Sequence, residues 1–438
     1  MSPTLLHNPK CEQLPRDELE QLQIERLQAT LNRAYRNVAF YRSAFDANRV
    51  NLEEVRSLSA MGDLPLTTKE DLQKSYPYDM FAVPLKDIVR IHSTAGAAGN
   101  AIVVGYTRND LANWTECVAR LLVAAGVTEH DVVQIALDYH LFPGGLGFHQ
   151  GAELIGASVI PASLTAAVEK HVAVIKDFKT TALVTTPSHA ARIAATLLDM
   201  RVGPDQLRLR LGLFGGEPWS EQLRAQLEQR LRIRATDTYG LTAVMGPGVA
   251  GECHLRRGLH VNEDHFIAEV IDPTSFEPVA PGDEGELILT TISKEGFPLV
   301  RYRTGDITSL NPAPCGCGRT FARMARVTRR TDDLVLFQGV GFFPSQIEKI
   351  ILEVEGTTPH YQIVLDREAG VDTLEVRIEV SEDIPFLDEA KTLQRLRTQI
   401  AERIKRALDV DAKVTFAEPK SLRHTAQEQG RVLDRRTQ

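Results

Sequence analysis

From Ile102 to Phe214 the chain alternates between short apolar runs and longer stretches in which apolar residues recur every three or four positions. Val132-Val-Gln-Ile-Ala136, Ser158-Val-Ile160, Ala182-Leu-Val-Thr185 and Leu211-Gly-Leu-Phe214 read as strands, whereas Arg108 to Ala125, Leu164 to Asp177 and Pro187 to Met200 carry helical spacing. Strands and helices in alternation predict an α/β fold with a mostly parallel sheet. Ahead of this region, Leu22, Ile24, Leu27, Leu31, Ala34, Val38 and Phe45 predict a helical region over Glu18 to Phe45. Phe266 to Ile292 changes rhythm: short alternating stretches broken by Asp272-Pro-Thr and Pro281-Gly-Asp predict a small antiparallel sheet or barrel.

A boundary is expected near Arg330-Thr-Asp-Asp333, giving domains over 1–330 and 331–438; a chain of 438 residues exceeds the usual single-domain size. The second domain reads as a compact α+β unit. Its predicted elements are a strand pair around Gly339, a helix from Pro344 to Glu355, strands near His360 to Leu365 and Thr373 to Val380, a helix from Leu387 to Leu408 and a strand at Ala412 to Phe416.

Charge and cysteine content narrow the function classes. A formal net charge of −8 argues against a broad footprint on nucleic acid or an anionic membrane. No apolar run reaches membrane-spanning length, and the first residues lack a basic flank with an apolar core, so a cytoplasmic address is expected. Five cysteines in a chain of this size do not make a disulfide framework. Four soft ligands do arrive as two pairs, Cys253-x6-His260 and Cys315-Gly-Cys317, which together would form a closed Cys3His set suited to structural zinc. Packed free thiols are the competing reading, and His254 is a weaker alternative ligand.

His92-Ser-Thr-Ala-Gly-Ala-Ala-Gly-Asn100 has the spacing of a phosphate-gripping loop, and the motifs that follow it come in a fixed order. These are Asp138-Tyr-His-Leu-Phe-Pro-Gly-Gly-Leu-Gly-Phe-His149, Phe214-Gly-Gly-Glu-Pro-Trp219, Asp237-Thr-Tyr-Gly-Leu-Thr242, Arg301-Tyr-Arg-Thr-Gly-Asp306 and Gly339-Val-Gly-Phe-Phe-Pro-Ser-Gln-Ile-Glu348. From about Tyr35 to Asp434 the chain resembles the phenylacetate-CoA ligases, a branch of the adenylate-forming superfamily. The resemblance implies a large N-terminal adenylate-forming domain, with parallel α/β sheets and a small β-barrel, and a small mobile α+β C-terminal domain hinged at Asp332. It implies nucleotide contacts from Tyr239, Asp306, Arg330 and Gly339, with Gly216 in the substrate-side turn. It also implies an aryl pocket from Tyr139, Phe142, Gly145 and Phe148, with Gly144 and Gly147 beside them and coenzyme A as the thiol substrate. A core tyrosine, a turn aspartate and a buried glycine-rich loop are the plain alternatives. Arg329 replaces the glycine normally found before Arg330. His140 departs from the family's small residue, as a candidate base or an ordinary satisfied histidine. The Cys3His pattern also resembles one in related ligases.

The chemistry of adenylation is where the chain departs from the resemblance. An acyl-adenylating enzyme needs hydroxyls, a carboxylate and a lysine around the phosphates. Here Ala95, Ala97 and Ala98 replace loop hydroxyls, Asn100 replaces the loop lysine, Ala243 replaces the expected Mg²⁺-holding glutamate, and Glu428 stands at the tail lysine. These changes place ATP and Mg²⁺ in doubt. The expected function is then ATP-independent transfer of an aryl group, of anthraniloyl or benzoyl type, from CoA to the thiol of an acyl carrier protein. A working aryl-CoA ligase with substituted groups (Lys420, Arg423, Arg431, Thr94) is the alternative. A catalytically inactive binding or regulatory module is a third. A homodimer stays open.

Overall fold

The computed structural model describes residues 5–94, 101–331, 335–337, 340–342, 344–354, 356–368, 371–380, 389–418, 421–422 and 431–436. It divides into two compact units, Met1–Val327 and Thr328–Gln438.

The first unit is organised by a mixed nine-stranded sheet. Its parallel half orders Ser158–Pro161, Val132–Ala136, Ala182–Thr185, Leu211–Gly215 and Arg234–Leu241. Gly246–Glu252, Leu259–Val261, Arg323–Met324 and Leu310–Asn311 then continue it antiparallel. The runs are predominantly apolar because both faces of the sheet are covered, and the polar side chains within them, Gln134 and Thr185, are buried with hydrogen-bond partners at 3.0 and 2.8 Å. Val133, Ile135, Ala182, Val184, Leu211 and Leu213 enter the main core. Ala136, Leu183, Phe214 and Ala235 enter a second core on the other side, shared with the helices Val168–Asp177, Pro187–Asp199 and Glu221–Leu231. Side chains alternate across a strand, so each run feeds two cores.

Caps explain where the helices begin. Thr107 and Asp110 form a reciprocal capping box that opens Arg108–Ala125, and Gly126, at φ 105°, closes it. Thr186 caps Pro187–Asp199, whose first residue is a proline. The expected N-terminal helical region is two helices, Arg16–Asn37 and Ala39–Ala47, parted where Val38 turns extended. Its buried stripe includes Gln23 and Thr30 as well as Leu19, Leu27, Leu31 and Ala34, a phase that apolar residues alone do not mark. The stretch expected as a small sheet or barrel pairs Phe266–Ile271, Gly285–Thr291 and Tyr302–Thr308 antiparallel.

In the second unit the antiparallel pair Thr357–Glu368 and Val371–Val380 is flanked by Lys413–Ala417 and Val432–Asp434, each added in parallel. The helices Pro344–Leu352 and Glu389–Leu408 contribute Ile347, Ile351, Ile400 and Ile404 to the core of that sheet. Among the described residues no helix is long and apolar enough to cross a membrane.

Candidate functional site

The strand Arg234–Leu241 carries the Asp237–Thr242 motif, and glycines set how closely its neighbours approach. A Cβ on Gly215 would lie 2.2 Å from the Thr238 carbonyl oxygen, and one on Gly240 would lie 2.0 Å from that of Gly246. The half-buried Tyr239 donates its hydroxyl to Asp306 Oδ2 at 2.5 Å. Asp306 is buried on Tyr302–Thr308, so two expected nucleotide-side residues are tied to each other directly. Gly216 turns at φ 82°, and a Cβ there would make an ordinary contact with Thr186 Cγ2 at 3.9 Å. Nearby in the chain, the guanidinium groups of Arg224 and Arg326 each lie over the Trp219 ring, 5.1 and 4.5 Å from its centre. Arg326 also donates to Asp237 Oδ2 at 2.8 Å, which opposes the upward push that burial exerts on the Asp237 carboxyl. Sequence reasoning missed Arg326, since no motif surrounds it.

The aryl-side segment begins with a tight turn. Gly145 N donates to the Asp138 carbonyl at 3.0 Å, and a Cβ there would meet that oxygen at 2.5 Å and the Tyr139 ring at 2.9 Å. Glycine is therefore required for Tyr139 to lie where it does. The Tyr139 hydroxyl sits 3.4 Å from His149 Nδ1, and burial drives its pKa up. Other expected pocket residues are placed differently. The segment from Gly144 to Leu154 is a helix, and Gly147 admits Trp114, whose ring would lie 2.6 Å from an added Cβ. That glycine serves helix packing and not approach to a flat ligand. Phe148 is only 3% exposed and packs in the main core, while Phe142 is 42% exposed. The His140 side chain is 73% exposed, with Nδ1 against the Asp138 carboxylate, an arrangement that fits the ordinary satisfied histidine of the two expectations.

The base of the expected phosphate loop touches this segment. Ser93 N donates to the Leu141 carbonyl at 3.1 Å, and His92 Nδ1 lies 2.9 Å from the same oxygen. Thr94 closes the loop, accepting from Ile102 N at 2.9 Å. Ala95, Ala97, Ala98 and Asn100 lie outside the described residues, as do Gly339, Asp332, Lys420, Arg423 and Glu428.

Ala243 is described, and it is 5% exposed beside Val244 and Met245 in the main core. A methyl in an apolar core offers no oxygen to a cation, so this position does not fit a Mg²⁺ ligand. Next to it is a group that the sequence did not flag. Lys294 is fully buried, donates Nζ to the Val244 carbonyl at 2.6 Å and lies 4.5 Å from the Tyr106 ring centre. Burial pulls its ammonium down to about 7, against the opposing charge of Asp110.

Arg330 opens the second unit in the two-residue strand Arg329–Arg330. Arg431, an alternative cation for the reaction, is engaged within that unit, with Nη1 2.7 Å from Glu348 Oε2. Cys253, His260, Cys315 and Cys317 converge in the first unit, all buried.

The family model described as "AMP-binding enzyme" matches residues 139–293, and "AMP-binding enzyme C-terminal domain" matches residues 339–436. The chain is 40% identical to a phenylacetate-coenzyme A ligase of Thermus thermophilus, over 99% of this chain and 100% of that one. It is 43% identical to a phenylacetate-coenzyme A ligase of Escherichia coli, over 96% of this chain and 95% of that one. A solved 2-hydroxyisobutyryl-CoA ligase in the postadenylation state superimposes with a TM-score of 0.90 at 25% identity, covering 100% of this chain and 94% of that one.

Proposed function

Since the chain belongs to the phenylacetate-CoA ligase family of adenylate-forming enzymes, we propose that it is an ATP-driven ligase joining an aryl carboxylic acid to coenzyme A. The observation that carries this reading is identity of 40–43% along nearly the whole length of relatives named for that activity. In such a reaction the carboxylate oxygen attacks the nucleotide α-phosphorus and pyrophosphate leaves; the CoA thiol then attacks the acyl carbon and AMP leaves. The Tyr239–Asp306 pair suits the nucleoside end: the phenol ring offers a stacking face, and the Asp306 carboxylate accepts from hydroxyls. Tyr139 suits the aryl end. The sequence has Asn100, Ala243 and Glu428 in place of the charged groups that the resemblance implies there.

The expected outcome is formation of AMP and an aryl-CoA in equal amounts from ATP, CoA and an arylacetate or benzoate-type acid, with acid-dependent ATP–pyrophosphate exchange. One observation favours a second reading, carrier-protein transfer: the buried methyl of Ala243 stands where the expected carboxylate would be. Release of CoA from an aryl-CoA without ATP, and only when a phosphopantetheine-bearing carrier protein is present, would establish that reading in place of the ligase. Comparisons of whole chains favour the ligase, and the transfer expectation is set second on that ground.

A further inference from the structure

Two β-hairpins of the first unit lie side by side at the antiparallel edge of the large sheet. In one, Cys253 follows the strand Gly246–Glu252, and His260 sits mid-strand in Leu259–Val261, opposite Gly251. In the other, Cys315 and Cys317 occupy the loop between Leu310–Asn311 and Arg323–Met324. The pairing of Arg323 with His260 holds the two hairpins in register. Sheet geometry thus assembles four soft ligands drawn from sites up to 64 positions apart, Cys253 to Cys317.

Their ligand atoms all lie within 4.8 Å of one another, and all four residues are buried. With Zn–S near 2.3 Å and Zn–N near 2.0 Å, a tetrahedron has S···S edges of about 3.8 Å and S···N edges of about 3.5 Å. Cys253 Sγ and Cys315 Sγ are 4.0 Å apart, and Cys317 Sγ and His260 Nε2 are 3.5 Å apart. Disulfide sulfurs would be about 2.05 Å apart. Packed thiols need no such convergence and no help with charge. Arg319 Nη1 adds a cation 3.7 Å from Cys317 Sγ. A guanidinium donor on sulfur is the kind of contact that supports a thiolate–metal centre.

We infer that Cys253, His260, Cys315 and Cys317 form a structural zinc site. Three sulfurs and one imidazole, closed and buried, suit Zn²⁺ over harder cations and leave no position for substrate. The site lies outside the nucleotide and aryl motifs, so it does not depend on the reading of the reaction. Its role is to fasten the two hairpins and, through Arg319, the N-terminal segment: Arg319 pairs with Glu12 at 2.6 Å and donates to the Leu5 carbonyl at 2.6 Å.

The test is elemental analysis of the full chain after a chelator wash, with X-ray absorption at the zinc edge. The expected result is about one zinc per chain with three sulfur neighbours and one nitrogen neighbour. Cys315→Ser and Cys317→Ser should lose most of that zinc and melt lower, while Cys11→Ser, outside the cluster, should keep it. Should the serine variants fail to fold, titration of the wild-type chain with a mercurial decides the matter: zinc should be released in step with modification of these thiols. A wild-type chain without zinc, with these thiols free or in a disulfide, overturns the site. Zinc held by oxygen or nitrogen neighbours alone marks an adventitious ion and overturns it equally.

Discussion

Lys294 carries the clearest pH consequence at the scale of single residues. Its ammonium titrates near 7 in the fold against 10.5 for an unperturbed lysine. Between those values the unfolded chain binds the extra proton, so stability rises with pH across that window and the penalty is complete below 7. The wild-type stability, from urea denaturation at pH 7, 8 and 9, should gain up to about 1.4 kcal/mol per unit from this group. Lys294→Met should remove that increment; equal slopes in the two proteins would refute the assignment. Tyr239→Phe takes away one donor to the buried Asp306. A hydrogen bond to a charged acceptor is worth about 1.5–3 kcal/mol, and the loss should appear in melting temperature and, if the proposed nucleotide role holds, in nucleotide affinity measured by calorimetry. Asp306→Asn should weaken the nucleotide with less loss of stability, because a hydroxyl partner remains. Tyr239 and Asp306 were legible in the sequence through their motifs. Lys294 was not, since nothing in Ser293-Lys-Glu295 signals that an amine will be enclosed by Tyr106 and Phe297.

Among elements, the packing of Arg108–Ala125 against Gly144–Leu154 shows what glycines do here. An added methyl at Gly147 would meet Trp114 at 2.6 Å and Pro247 at 2.8 Å, and one at Gly151 would meet Val118 at 2.7 Å. Gly147→Ala should destabilise by about 1–3 kcal/mol in chemical denaturation, the usual range for overpacking. Gly203→Ala, with nothing within 4 Å of its Cβ position, should not. The Gly144–Leu154 helix was hidden in the sequence for the same reason: its glycines read as a loop approaching a ligand, and their packing partners are distant in the chain. The strands at 132–136 and 182–185 were plain, because a covered sheet favours runs that are mostly apolar, here interrupted only by Gln134 and ended by Thr185. Helix starts were visible where a cap marked them, as at Thr107, and displaced where none did: the helix expected from Leu164 begins at Val168, after an N-cap position occupied by Ala167. The convergence of the two cysteine pairs could be guessed from residue type, but Arg319 directed at Cys317 Sγ required the fold.

The molecule as a whole has the fold of its family, and its sequence carries Asn100, Ala243 and Glu428 where the resemblance implies charged groups around the phosphates. If only those groups limit adenylation, restoring them should help: Asn100→Lys with Glu428→Lys should raise acid-dependent ATP–pyrophosphate exchange by roughly tenfold or more, since one preorganised donor is worth about 10²–10³ in such sites. Ala243→Glu is the poorer choice, because it puts a carboxylate at a 5% exposed core position. No change in exchange from the double lysine variant would show that other groups already do this work. The earliest helices also impose an order on assembly. Arg16 pairs with Glu263, Gln23 donates to the Glu263 carbonyl, and the Tyr41 hydroxyl accepts from Val300 N, at separations of 247, 240 and 259 positions. At about 5–20 residues per second, translation reaches those partners roughly ten seconds to a minute after the helices emerge. Nascent chains halted before Glu263 should therefore be cut more readily by protease within Arg16–Asn37 than chains released after Val300, because until then these three tethers have no partner and the first helices lean only on early neighbours such as Val55 and Leu72.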